Sequence, residues 1–328
     1  MINRLFIVSA FIDYFPDGKT ECTNVLKNNS RQILLTGSYY VFDCVFNTIG
    51  VSGSAQTSSG RGGTIYMSSS SDLILLIECC SFSHCFSSNY GGAIFVNNTA
   101  NEKFLIVKSI AFSCYTSIGE WPGGQFYYAS VNNTLVCCLT SIAQCSPENL
   151  SSGKWYSVYQ INGNHDNKYI NSSYNFVFSV SSVLTYKAPS SIMMFNTYSN
   201  SISSQYSVFL GSTCSVEKSN IINITATMAP IIIVSYTSNS YIANSIILNN
   251  RGNLSIVFPG STLTISNSKI FHSTSISTSL LTIDVSCIFN TIFTPLLYNY
   301  KEFQCYPNTG TTKYISKNSI FLFYLFFG

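Results

Sequence analysis

Residues 91–96 read Gly91-Gly92-Ala93-Ile94-Phe95-Val96, and the same grammar stands at Gly62-Gly63-Thr64-Ile65-Tyr66-Met67. A third copy is Gly123-Gly124-Gln125-Phe126-Tyr127-Tyr128, and a worn fourth runs from Gly153 to Val158. The copies step by roughly 30 residues, which is the period of a stacked repeat rather than of a globular domain. A glycine pair gives a tight corner with positive φ, and the apolar residues after it read as a short strand. Ile65 and Ile94 fall at the same place in the unit and are expected to point inward. Between the glycine pairs sits a second unit, seen as Cys44-Val45-Phe46-Asn47, Cys80-Ser81-Phe82-Ser83-His84-Cys85 and Ile110-Ala111-Phe112-Ser113-Cys114. Cys138 to Cys145 is a looser version.

A turn and two or three short strands per unit cannot bury an inward face alone. Stacked units bury a continuous one at the ~4.8 Å strand spacing. Strand-like runs persist without the glycine pair, as in Asn175–Val180, Ile231–Val234, Tyr241–Leu248 and Leu280–Val285. The expected fold is therefore all-β: one right-handed parallel β-helix over residues 21–310, clearest over 40–160. Residues 1–20 fit either a short signal segment or a first strand. Residues 311–328 form a tail ending in the apolar run Ile320–Phe327, too short to span a bilayer. Membrane association is expected only through that tail.

Composition supports this class and excludes others. Charged residues are 9% of 328, against about 25% in ordinary domains. Ser, Thr and Asn number 54, 26 and 31, so hydroxyls and amides cover the surface in place of charges. Apolar content of 46% and a net charge of +3 argue against disorder. The 16 basic residues form no run, so no nucleic-acid partner is expected. No stretch reaches the ~18 apolar residues of a spanning helix.

Gly-Gly-Ala-Ile at 91–94, with Gly-Gly-Thr-Ile at 62–65, resembles the GGAI motif of polymorphic outer membrane protein-like repeats. That family pairs GGAI with F-x-x-N, whereas Phe82-Ser83-His84-Cys85 places Cys in the Asn position. In its cysteine content the chain resembles the β-helix surface proteins of trichomonad protists, and the pectin-lyase-like superfamily shares the fold. The resemblance implies a cell-surface or secreted, adhesin-like solenoid. Its expected role is non-catalytic, structural and adhesive, binding glycans or proteins of another cell through an extended face. The alternatives are a polysaccharide lyase or glycoside hydrolase on the same fold, or a fragment of a larger anchored surface protein.

An enzyme of that kind needs clustered carboxylates. The six Asp and seven Glu lie singly along this chain. Glu78 and Glu102 sit near a stacking distance apart, as do Glu120 and Glu148, but at turns or strand ends. His165-Asp166-Asn167-Lys168 reads as a solvated turn, and His84 as an outward strand residue. There is no C-x-x-C, no G-x-S-x-G and no phosphate loop, so no catalytic residue, cofactor or metal is expected. Tyr90, Tyr127 and Tyr128 are candidates for exposed rings that stack on sugars. The 12 Cys are expected as a mixture of stacked thiols and a few cross-strand disulfides, with Cys80, Cys85, Cys114, Cys138 and Cys145 the candidates. Cys80 and Cys85 could also close a short loop. Seven N-x-S/T sequons match what composition alone produces, so they are uninformative.

Overall fold

A computed structural model describes residues 24–26, 30–34, 37–53, 60–117, 123–145, 156–227, 230–234, 238–272, 281–283 and 287–289. Residues 1–20 and 311–328, and the worn motif at 153–155, lie outside these. Among the described residues, the strands form three long parallel sheets. Sheet I has nine strands, from Gln32–Leu34 to Ser255–Val257; sheet II has eleven, from Asn24–Leu26 to Leu281–Ile283. Sheet III has ten, from Val45–Asn47 to Ile288–Phe289. From Gln32 to His272 each turn of the described chain visits I, II and III in that order, and each strand pairs in parallel with its counterpart one turn away. The chain is thus a parallel β-helix.

The rungs are of two lengths. Ile65, Ile94, Tyr127 and Val158 share one column of sheet I at spacings of 29 to 33 residues. Val183, Val208, Ile232 and Ser255 continue it at 23 to 25. The glycine pairs belong to the long rungs. Gly62 and Gly91 have φ of +57° and +60°, as the tight corner requires. Gly63 and Gly92 have no room for a Cβ, because backbone carbonyls of the same and the next rung press against them.

The third motif copy is shifted by one residue from its sequence alignment. Tyr127, not Phe126, pairs with Ile94, and the register slips between Gly124 and Tyr127. It is Gly124 whose Cβ would strike the carbonyl three residues on, as at Gly62 and Gly91. A one-residue slip exchanges the two faces of a strand. Tyr127 is accordingly buried at 0% exposure and Tyr128 faces outward, which corrects the expectation that both are exposed.

The inner columns are apolar at the N-terminal end. Leu75, Phe104 and Leu135 stack, as do Ile77, Ile106 and Cys137, and Phe46 lies 5.1 Å above Phe82. All are fully buried. At Leu135 the first column passes into His165, then Ser191, and at Cys137 the second passes into Asn167. His165-Asp166-Asn167-Lys168 is therefore no solvated turn but part of the strand Asn164–Lys168. His165 and Asn167 point inward; Asp166 and Lys168 point outward and form an ion pair of 2.9 Å. Sequence polarity misled because this stretch of core is itself polar.

The corners flanking sheet III have a regular construction. Just before each sits a non-glycine residue in the left-handed region: Cys79, Lys108, Leu139, Tyr169, Phe195 and Lys218 at one corner, His84, Ser113, Gln144 and Tyr174 at the other, all with φ near +50°. That region suits Asn and Gly, so the stacked corners impose it on bulky residues. His84 sits on this corner, exposed, rather than within a strand. Except at Ile170, which has no donor, and at Asn175 and Asn196, which donate to Ile142 O and Asn167 O of the preceding rung, the next residue points inward and donates to the carbonyl two residues before it. Cys80 reaches Glu78 O at 3.3 Å, Ser109 reaches Val107 O at 3.0 Å, Thr140 reaches Cys138 O at 3.0 Å and Ser219 reaches Glu217 O at 2.8 Å. The same atom often accepts the corner N–H of the preceding rung, as Ser109 Oγ does from Cys80 and Ser245 Oγ from Ser219. The second corner repeats this with Cys85, Cys114, Cys145, Asn175 and Ser201.

Cysteine is therefore one member of a hydrogen-bonding ladder. The ten described cysteines are thiols. Cys80 and Cys85 occupy different ladders at opposite ends of Ser81–Ser83, so a loop closed by that pair does not match the structure. Cys80 lies against Cys44, and Cys85, Cys114 and Cys145 stand in a row, each Sγ donating to the carbonyl two residues before it. Cys138 stands apart, half-buried on the outer face of sheet II. Hydrogen bonding to Cys114 and burial push the Cys85 thiol up, and burial does the same at Cys114, so neither is reactive. We expect Cys114→Ser to hold its fold within about 1 kcal/mol, because Ser201 makes the same bond three rungs on in this ladder. Cys114→Leu should cost more than about 2 kcal/mol, since it overfills the corner and orphans its donors and acceptors. Urea unfolding of the two variants checks this, and equal losses would refute the ladder.

Candidate functional site

Two buried groups invite a chemical reading first. Glu102 lies at the turn from sheet I to sheet II with 0% exposure, and neither carboxylate oxygen has a hydrogen-bond partner. Burial pushes it up to about 8, against the smaller opposing effect of Asn98, so it is neutral at physiological pH. His165 donates from Nε2 to Asn162 O at 2.5 Å, leaving Nδ1 without a partner. Burial pulls it down to about 4. Both are enclosed core residues.

Their titrations oppose each other. Between pH 4.5 and 8 folded Glu102 holds a proton that the unfolded chain releases, so its contribution falls as pH rises through that window. Between pH 4 and 6.5 the unfolded chain protonates His165 and the folded one does not, so this contribution rises with pH. Glu102→Gln should raise stability at pH 8 by about 2–3 kcal/mol. It should also expose a steep rise with pH between 4.5 and 6.5 that the parent lacks. A parallel pair of stability–pH curves would refute the assignment.

Four of the five other described carboxylates are engaged, and Asp72 accepts from Asn101 N at 2.9 Å. Glu78 is buried, paired to Lys108 at 3.0 Å and accepting from Tyr40 Oη at 2.8 Å; Asp166 pairs with Lys168, and Glu217 accepts from Ser215 at 2.9 Å. Glu120 and Glu148 lie outside the described residues.

The outer face of sheet I differs in kind. Tyr66, Phe95, Tyr128 and Tyr159 occupy one outward column on four successive rungs. Their rings stack with centroids 5.4, 5.1 and 5.3 Å apart and interplanar angles of 7°, 10° and 24°. Each such contact adds about 0.5–1.5 kcal/mol beyond the area buried. Tyr156 stacks on Tyr159 at 4.8 Å, and Tyr90 meets Tyr128 edge-on at 5.6 Å. The cluster continues through Leu184, Tyr186, Tyr206 and Phe209. Cations cover it: Arg31 lies 6.0 Å over Tyr66, and Arg61 lies 5.2 Å over Tyr90 and 5.0 Å over Phe95.

Of the rings singled out in the sequence, Tyr90 and Tyr128 thus belong to this face and Tyr127 does not. Ring faces within the ladder are taken up by neighbouring rings, and Phe95 and Tyr159 are buried, so the half-buried Tyr66, Tyr90 and Tyr128 and the guanidinium groups remain for a partner. Sequence reading missed Tyr66, Phe95, Tyr159, Arg31 and Arg61. The signal was there: the residue after Ile65 and Ile94 is aromatic in both good copies, and period-2 alternation places it outside. The glycines Gly62, Gly63, Gly91, Gly92, Gly123 and Gly124 set the corner ahead of this face. Comparison with protein-family models, with curated proteins and with solved structures finds no match for this chain.

Proposed function

We propose that this chain is a non-catalytic β-helix of the cell surface or the secreted milieu, with a structural and adhesive role. It engages glycans or proteins of another cell through an extended face. The observation that carries this reading is the outward ladder of four rings on successive rungs, flanked by further tyrosines and by arginines. Solenoid faces bind by area and repetition, and Tyr and Arg dominate binding energy at interfaces. The engagement of the outer carboxylates in ion pairs and hydrogen bonds favours binding over acid–base chemistry. An exported setting is supported by the hydroxyl and amide surface and by the likeness of the glycine motif to GGAI-repeat surface proteins. The cysteines now speak for neither compartment, since their ladder role needs no oxidant.

Beads coated with the purified chain, presented to intact cells of other types, test the reading. Adhesion above that of beads coated with a Tyr66→Ser/Tyr128→Ser variant supports it. Equal adhesion of the two, or none with the parent, overturns it.

A further inference from the structure

One group on the sheet I face has its chemistry unspent. Arg61 bridges in parallel to Tyr90, and its guanidinium is held over the rings of Tyr90 and Phe95. Its Nε is buried with no hydrogen-bond partner. By contrast Lys108 and Lys168 each meet a carboxylate. Arg31, one rung away, donates to Gly62 O at 3.2 Å and Arg61 O at 2.9 Å, which brings a second positive charge beside the first. The described carboxylates, Asp43, Asp72, Glu78, Glu102, Asp166 and Glu217, all lie in sheet II or the turns that flank it. None of them pairs with Arg61.

Tyr90 and Tyr128 complete the arrangement. Their rings meet at 5.6 Å, and the Tyr128 hydroxyl is near enough to feel both the Tyr90 hydroxyl and the Arg61 charge. A half-buried cation without an acceptor is costly in a folded chain. A planar guanidinium held over two rings, with two tyrosines beside it, brings together the N–H and phenol O–H donor types that an oxyanion accepts.

We infer that Arg61, Tyr90 and Tyr128 form a site for the carboxylate or sulfate of an acidic polysaccharide. This deepens the adhesive reading and rests on it for its biological setting. A sugar chain fits better than an acidic polypeptide, because Tyr66, Tyr90 and Tyr128 carry phenol hydroxyls on three successive rungs of this face, matching a linear partner with hydroxyls on every residue. A carboxylate and a sulfate offer the same acceptor geometry, so the experiment separates them.

The full chain is run through native gels containing polygalacturonate, dextran sulfate, neutral dextran or polyglutamate. Retardation by polygalacturonate or dextran sulfate, and not by dextran, is expected, and whichever acts more strongly names the anion. Arg61→Gln, and separately Tyr90→Phe with Tyr128→Phe, should weaken retention about tenfold or more. The tyrosine pair keeps both rings, so it tests the site even where Arg61→Gln fails to fold. Lys103→Gln, on sheet II, removes the same charge and should leave retention unchanged. Equal losses from Lys103→Gln and Arg61→Gln would reduce the effect to net charge and overturn the site. Equal or stronger retardation by polyglutamate would overturn the glycan assignment, and no retardation by any polyanion would overturn the whole. In the bead assay, adhesion that survives Arg61→Gln overturns the site and leaves the adhesive reading standing. Absent adhesion overturns that reading, while the gels still judge the site.

Discussion

Gly92→Ala is expected to abolish the native state of the N-terminal rungs. A Cβ on Gly92 would sit inside van der Waals contact of Gln125 O in the next rung and 2.6 Å from Tyr115 O. Both are backbone atoms within paired strands, so no rotamer change relieves the overlap. Relief requires the rungs to separate, and with them the column Ile65–Ile94–Tyr127. The expected loss exceeds about 4 kcal/mol, the range reserved for core overpacking of the worst kind. Gly91→Asn separates two causes. Asn tolerates φ of +60°, so it would rescue a purely conformational demand. The Cβ of any residue there also strikes the Ile94 carbonyl oxygen, so Asn should fail like Ala. Gly50→Ala is the control, because the atoms nearest its added Cβ belong to the Phe86 ring, a side chain that can shift, and not to backbone.

Because rungs contact only their neighbours, the damage should stay local. Limited proteolysis of Gly92→Ala should cut around residues 86–128 and spare the short rungs from about 180 to 270. Parent-like proteolysis and an unchanged unfolding midpoint would show that the glycine pair is not what closes the long rungs.

How far the sequence reveals this architecture depends on which side chains mark it. The glycine pair is legible because no other residue fits, and it identifies the long rungs directly. The short rungs lack it for a physical reason: Val183, Val208 and Ile232 enter sheet I without that corner, whereas the rung of Val158 is still long and carries no glycine pair. The Cys-bearing unit is legible only while cysteine fills the two corner ladders, as at Cys80 and Cys85. Its true content is a side chain that can hydrogen-bond at each corner, five residues apart. The pairs Asn196 and Ser201, then Ser245 and Asn250, continue it, while Ile170 and Ile224 interrupt it at one corner of two other rungs. Read as Cys, the unit ends near 145; read as Cys, Ser, Thr or Asn, it runs to 250. In a chain so rich in Ser and Asn such positions do not stand out by residue type. The binding face was half legible. Tyr90 and Tyr128 were noticed as aromatic, but a one-residue slip at Gly124 decided that Tyr127 is core and Tyr128 is surface, and nothing local to Gln125–Tyr128 announces that slip.

The polar core makes the second large prediction. Gln160 and Asn167 face each other across the interior between sheets I and II. Gln160 Nε2 donates to Asn167 Oδ1 at 2.9 Å, Asn167 Nδ2 donates back to Gln160 Oε1 at 2.9 Å, and Gln160 Nε2 also donates to Tyr127 Oη at 2.5 Å. Asn196 extends the network, donating to Asn167 O at 3.0 Å and to Tyr198 Oη at 3.1 Å. Gln160, Asn167, Asn196, Tyr127 and Tyr198 are fully buried. Gln160→Leu keeps the volume but strips Asn167 of a donor and an acceptor and Tyr127 of its partner. Each orphaned buried group costs about 1–3 kcal/mol, so a loss of about 4 kcal/mol is expected. Asn167→Leu should cost a similar amount. Gln160→Leu with Asn167→Leu removes both halves of the amide pair together and leaves only Tyr127 short of a bond. The double variant should therefore be less destabilised than the sum of the singles by about 2–3 kcal/mol. Urea unfolding, followed by the fluorescence of the interior tyrosines, gives the cycle. Additive losses would mean that the two amides are solvated separately and that no reciprocal pair forms. A coupling of the stated size would show that this β-helix closes its middle rungs with hydrogen bonds where its first rungs use Leu, Ile and Phe.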